Sequence, residues 1–171
     1  LLENGLLTPT EFADAMRAFK GLKRRLDLKT EKSSVLLYEG FGSSREKARA
    51  AISAVVTHFP ERRTIVLFEP HTFSWRNRGM LHWYNDVFEG CDHVFIYKPP
   101  EVTGPAAHEG EGKYKDDQLT QADIVEQVQK AGIAVTPVTS GDHTIELLKD
   151  FLRPDDLVLI MTSSHFDGLI E

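Results

Sequence analysis

The chain has a single cysteine, no long apolar run and no surplus of basic residues, and each shortage excludes a class of protein. Cys91 cannot pair within the chain, which rules out a disulfide-stapled scaffold and leaves a buried, unreactive thiol as the expectation. No stretch approaches the roughly 20 apolar residues of a membrane span, and the amino terminus lacks a signal peptide's basic and apolar regions. The expectation is a cytoplasmic protein without a membrane partner. A net charge of -6 argues against a nucleic-acid partner. The seven histidines form no H-E-x-x-H and no ligand pair at metal spacing, so no metal site is expected. There is no G-K-[ST], hence no P-loop, and no G-x-S-x-G elbow for a hydrolase nucleophile. What remains is an ordinary globular composition, 41% hydrophobic and 27% charged over 171 residues. That length suits one domain with a short appendage, burying about two thirds of its unfolded surface.

Apolar periodicity alternates between strand and helix. Thr8-Pro9-Thr10-Glu11 is a capping box with proline at the first helical position, followed by Phe12, Ala15, Met16 and Phe19 at helical spacing. Leu26 and Leu28 alternate with charged residues as in a half-exposed strand, and Val35 to Tyr38 read as a buried one. Ser43 with Glu46 reads as a capping box for an amphipathic helix that Pro60 closes. Strands are expected at Thr64 to Phe68, His93 to Tyr97, Ile133 to Val138 and Leu157 to Met161. Helices are expected from Met80 to Phe88, after Thr120, and from Asp142 to Pro154. Such β-α alternation needs crossover helices between parallel strands. The expected fold is α/β: three layers, doubly wound around a mostly parallel sheet. Lys98 to Leu119 breaks the rhythm with three prolines and three glycines; only His108 and Tyr114 in it suggest specific contacts.

Open α/β sheets bind ligands beyond the carboxyl ends of their strands, which directs attention to three turns. Glu39-Gly40-Phe41-Gly42-Ser43-Ser44 lies between a strand and a helix, where backbone N–H groups can cradle an anion, although a tight turn with an N-cap explains the same residues. Glu69, His71, Thr72, Ser74 and Arg76 put a carboxylate, an imidazole, hydroxyls and a guanidinium into one loop, as recognition of a zwitterionic or carboxylate ligand requires. Phe73 and Trp75 either stack on a ligand or pack. Ser163, Ser164, His165 and Asp167 form a third set, in which Ser164 and Asp167 also read as a plain capping box. These side chains are too close in sequence to be a Ser-His-Asp triad placed by separate strands.

Phe19-Lys20-Gly21-Leu22-Lys23-Arg24-Arg25-Leu26-Asp27, the strand ending Tyr38-Glu39, the F-E-P-H loop and the M-T-S-S-H-F-D-G-L-I ending together resemble the carboxyl-terminal domain of the Mur ligases. Within that family the resemblance is nearest to the murein peptide ligases. These attach L-alanyl-γ-D-glutamyl-meso-diaminopimelate to UDP-N-acetylmuramate in bacterial cell-wall recycling. The resemblance implies that residues 1–21 are the end of a preceding central ATPase domain or a linker helix, and that 22–171 form the carboxyl-terminal domain. It implies an ATP-dependent amide ligase whose ATP and Mg2+ are bound mainly by a central domain, with UDP-N-acetylmuramate and an amino acid or tripeptide as substrates. A fragment without the other domains would be inactive. By the same resemblance Arg25 and Glu39 belong to the nucleotide side. Phe41, Ser43, Ser44, His71, Thr72, Arg76, Ser163, Ser164, His165 and Asp167 belong to the substrate side.

The family usually reads D-D-[FY]-[AG]-H-H-P-T where this chain has Glu39-Gly40-Phe41-Gly42-Ser43-Ser44-Arg45-Glu46. Two serines replace imidazoles that would line the acceptor pocket. That departure keeps a second reading open, a ligase-derived, non-catalytic module holding a phosphorylated ligand.

Overall fold

The computed structural model describes residues 2–30, 32–100 and 117–169. Helix α1 (Pro9–Ala18) starts at the expected capping box, with Thr8 accepting from the Glu11 N–H. None of its residues is buried, and Phe12, Met16 and Phe19 stay exposed. Strand β1 (Asp27–Leu28) lies antiparallel on β2 (Leu36–Gly40), pairing Asp27 with Glu39. Then follow α2 (Arg45–His58), β3 (Thr64–Phe68), the single turn α3 (Phe73–Arg76) and a 3₁₀ helix, Arg78–Asn85. The chain continues through β4 (His93–Tyr97), α4 (Gln121–Lys130), β5 (Val135–Val138), α5 (Gly141–Phe151) and β6 (Leu157–Met161).

The sheet runs β1-β2-β6-β3-β4-β5, parallel throughout except for β1. The last strand therefore sits between the second and third. Each central strand sends alternate side chains to opposite faces, as the period of two requires. Val66, Phe68, Leu157, Leu159 and Met161 join Ala48, Ile52, Val55, Tyr84, Ile124 and Val128 under α2, the 3₁₀ helix and α4. Ile65, Leu67, Phe95, Val158 and Ile160 meet Leu147, Leu148 and Phe151 of α5. The expected three layers are present, with the second face covered, among the described residues, by α5 and the turn that holds Phe166 and Leu169.

Some local expectations shift. The N-cap of α2 is Ser44, not Ser43, because the Ser43 carbonyl is taken by the Thr72 hydroxyl and its side chain by Lys47 Nζ. The helix expected over Met80 to Phe88 is a 3₁₀ helix starting earlier, with the Asn77 side chain accepting from the Gly79 N–H. Ser164 and Asp167 cap no helix, since a turn with left-handed Phe166 and Asp167 follows β6. Cys91 is half-buried against the core, and burial, followed by the nearby Asp92 charge, pushes its thiol up to about 12, so it is unreactive at neutral pH. His108 and Tyr114 lie outside the described residues.

Candidate functional site

The parallel strands β2, β6 and β3 end side by side, Gly40 opposite Met161 and Met161 opposite Phe68. All three candidate turns accordingly leave the same rim. The first residue beyond β3 is tied to β6 directly, Glu69 N donating to Met161 O at 3.0 Å.

Glu69 organises the middle of this rim. It is only 6% exposed, and its Oε2 accepts from the Thr162 hydroxyl and from Ser164 Oγ at 2.5 Å. Its other oxygen, Oε1, lies 3.6 Å from Nδ1 of His71, whose imidazole is partly exposed. That distance is too long for a hydrogen bond, and Nδ1 has no other hydrogen-bond partner among the described residues. Ser164 thus bonds to a carboxylate rather than an imidazole, and no nucleophile triad forms here. The turn after β6 is further held by Ser164 Oγ, which accepts from Phe166 N at 3.2 Å.

At the β2 end, Glu39 is 2% exposed and enclosed by two cations: Arg24 Nε at 2.6 Å from Oε1 and Lys29 Nζ at 2.7 Å from Oε2. The Arg24 contact is ionic without hydrogen-bond alignment at that atom. Lys29 also donates to Asp27, and contact first with Asp27 and then with Glu39 holds its ammonium above the ordinary lysine value. Pairing of β1 with β2 delivers both cations. The carboxylate expected to face a nucleotide is therefore committed internally, and its surroundings remain cationic.

Arg25 does face outward. Its guanidinium lies 4.7 Å from the centroid of the Phe41 ring, beside a cleft of about 310 Å³ bounded by Leu26, Gly40, Lys47 and Ala50. The turn beyond Phe41 packs tightly on the end of β6: a Cβ on Gly42 would meet Met161 Cε at 3.1 Å. Trp75 settles its own ambiguity by packing, 1% exposed, with Nε1 donating to Gly42 O at 2.7 Å and its ring edge-on to Phe68. Ser43 and Ser44 serve the start of α2, accepting from Lys47 Nζ and Lys47 N.

Arg76 is 8% exposed, and its Nε has no hydrogen-bond partner among the described residues. A buried guanidinium in this state carries donor capacity that a carboxylate would satisfy. Asp167 is occupied within the fold, its Oδ2 accepting from Gly141 N at 3.1 Å. Phe166 anchors the same turn, fully buried with its ring 4.8 Å from that of Tyr97. Burial and then the Asp167 charge hold the Tyr97 phenol above its usual value. Ser163 is half-buried and His165 exposed on the outer side of this turn.

Glu69 is one of the loop candidates named from the sequence, whereas Thr162, Arg24 and Lys29 are rim residues to which the sequence assigns no role. The tandem arginines and the threonine before Ser163 were visible signals for two of them. Lys29 depends on a two-residue strand pairing that no periodicity announces.

No protein-family model matches the chain. A UDP-N-acetylmuramate–L-alanine ligase of Roseiflexus sp. (strain RS-1) is 29% identical over 149 residues, 87% of this chain and 29% of that protein. Among solved structures, a UDP-N-acetylmuramate–alanine ligase from Thermotoga maritima superposes with a TM-score of 0.68 at 12% identity, covering 95% of this chain and 32% of the other. A murein peptide ligase from Psychrobacter arcticus 273-4 superposes with a TM-score of 0.61 at 17% identity, covering 98% and 32%. The chain spans about a third of the length of the curated relatives it matches.

Proposed function

We propose that this chain, a homologue of the Mur ligases with the fold of their carboxyl-terminal domain, positions the amine acceptor of an ATP-dependent amide ligase acting on UDP-N-acetylmuramate in peptidoglycan synthesis or recycling. The observation that carries this reading is the gathering of Glu69, His71, Thr162 and Ser164 on one rim of a parallel sheet, with a buried Arg76, whose Nε has no hydrogen-bond partner among the described residues, in the same loop as His71. An acceptor amino acid or tripeptide presents an ammonium group and a carboxylate. The first suits the Glu69 carboxylate and the His71 imidazole, and the second suits Arg76.

The attacked group would be an acyl phosphate made from the muramate carboxylate and ATP. Such an anhydride is lost to water if the amine arrives late, so the domain's contribution is orientation and exclusion of water. Arg25 over Phe41, with the adjoining cleft, is assigned to the nucleotide side, and Glu39 acts there only through Arg24 and Lys29. The described residues contain no cluster of three or more His, Cys, Asp or Glu suited to a metal, and Mg2+ with the triphosphate is assigned to the central domain of a longer chain. In that arrangement residues 1–21 belong to the preceding domain, which the unburied α1 supports, and the fragment alone is inactive. No helix among the described residues is long and apolar enough to cross a membrane.

In the full-length protein, His71→Ala and Arg76→Ala should each raise the acceptor KM by about 10- to 100-fold, with the KM for ATP within about threefold of wild type. Equal losses toward both substrates would remove the acceptor assignment.

One observation favours the alternative of a non-catalytic phosphate-binding module: Ser43, Ser44 and Lys47 surround the start of α2 beside the Arg25 cleft. Calorimetry of this chain with phosphate esters separates the two, since micromolar binding without any other domain supports the module.

A further inference from the structure

We infer that Arg24 is a positioning residue: it latches the segment that leads into β1 onto the tips of β2 and β6, and through them sets the rim at Glu69 and His71. The inference deepens the acceptor reading and rests on it for its functional consequence.

The backbone identifies the position first. Arg24 and Leu26 both have left-handed φ, 59° and 55°. Each such non-glycine residue carries backbone strain and persists only where its surroundings over-determine it. Between them the two send neighbouring arginines to different tasks. Both guanidiniums lie near the Phe41 ring, Arg25 at 4.7 Å and Arg24 at 5.4 Å from its centroid, and Arg25 donates to the Arg24 carbonyl at 3.1 Å. Arg24 goes into the fold. Its Nε contacts Glu39 at the end of β2, and its Nη2 donates to Ser164 O at 2.8 Å and Thr162 O at 3.3 Å beyond β6.

These carbonyls belong to the two residues whose hydroxyls hold Glu69, which lies beside His71. One guanidinium therefore joins the entering segment, the β2 tip and the β6 turn, and the turn in turn fixes the carboxylate at the β3 tip. Balancing the Glu39 charge does not explain the arrangement, because Lys29 Nζ already sits 2.7 Å from the other carboxylate oxygen. What Arg24 adds is a planar group that meets Glu39 through Nε while Nη2 donates to two backbone oxygens, a span that the single nitrogen of a lysine cannot reproduce. Any change in the direction from which the chain enters at residue 22 would be transmitted to the turn that shapes the acceptor rim.

The test uses Arg24→Gln and Arg24→Lys. In this chain, 1H–15N spectra of both variants should show displaced amide signals at Thr162 to Phe166 and at Glu69 to His71, with the rest of the sheet unchanged. In the full-length protein the acceptor KM should rise on the order of tenfold in both variants, the ATP KM staying put. Arg24→Lys should keep the wild-type melting temperature while failing to restore the acceptor KM, a split that a merely stabilising residue would not give. Unmoved signals at 162–166 and 69–71, or recovery of both properties by lysine, overturn the inference. If Arg24→Gln does not fold, the lysine variant's spectra decide. If the wild-type full-length protein forms no amide bond, the acceptor reading falls, and the spectra of this chain still decide whether the latch exists.

Discussion

Single residues in this protein act mostly through backbone groups, and the rim has a counterpart at the opposite end of the sheet. There, Arg63 grips Asp156 with two bonds, Nε to Oδ1 at 2.9 Å and Nη2 to Oδ2 at 2.6 Å, while Arg153 N donates to Oδ2 at 2.7 Å. The carboxylate is nearly buried and the guanidinium partly exposed, 4.7 Å from the Phe151 ring centroid. Burial pushes the Asp156 carboxyl up, but the Arg63 fork, the Arg153 N–H and both charges outweigh it and hold the group below its ordinary value. A carboxyl lowered in the folded state stabilises the fold above its unfolded pKa of about 4, and that contribution is lost as pH falls through the folded value. Asp156→Asn should therefore cost about 3 kcal/mol at pH 7, and the gap to wild type should shrink toward pH 3. Urea midpoints at the two pH values measure this; a gap that stays constant would refute the charge assignment. Individual partners of this kind were not legible in the sequence. His71 and Ser164 could be placed on one rim from the parallel-strand pattern alone, but Glu39's enclosure by Arg24 and Lys29 required two left-handed residues and a short antiparallel strand, none of which has a local signature.

Among the elements, the fully buried strands were the most legible. Thr64–Phe68, His93–Tyr97 and Leu157–Met161 match their expected limits because continuous β-branched and aromatic runs have no competing helical face. The 3₁₀ helix was not legible, since its form follows from tertiary contacts: Tyr84 is fully buried and donates to Trp75 O at 2.8 Å, while Trp83 stacks edge-on to Trp75. Helix starts were off by a residue or two where adjacent serines or small residues competed as caps. At α5 the cap is Ser140, and the helix opens at Gly141, one residue before the expected Asp142. That glycine has a packing reason, because a Cβ there would meet Asp167 O at 2.9 Å. Gly141→Ala must push the turn after β6 outward or distort the helix start, at a cost of about 1–3 kcal/mol. A lowered denaturation midpoint with displaced amide signals confined to Asp167, Gly168 and the first turn of α5 is the expected outcome. An unchanged midpoint would show that the turn is not pinned by this contact, and the placement of the outer rim would need revision.

The whole molecule joins a site made late in the chain to an appendage at its beginning. Strand β6, the last in sequence, lies between β2 and β3, so the rim exists only once the final strand is inserted. Sequence reading recovered the layers and the parallel alternation but not this order, because a strand's place in a parallel sheet depends on crossover lengths and face packing rather than on its own residues. Helix α1 stands outside that cooperative core. It has a sound capping box and an apolar stripe of Phe12, Met16 and Phe19, yet buries none of its residues. Isolated helices of this length are marginal in water, so its own order contributes little to the domain's stability. Deleting residues 1–18 should leave the melting temperature within about 2 °C of wild type, since a stability change of 1 kcal/mol moves a domain of this size by only about 2–4 °C. Circular dichroism melts of the two forms make the comparison. Loss of a cooperative transition in the shortened form would mean that α1 is integral to this unit, and would overturn both its assignment to a preceding domain and the division near residue 21. If stability is retained, the apolar stripe is free to serve a surface outside these residues, and the entering segment with Arg24 becomes the mechanical link between that surface and the acceptor rim.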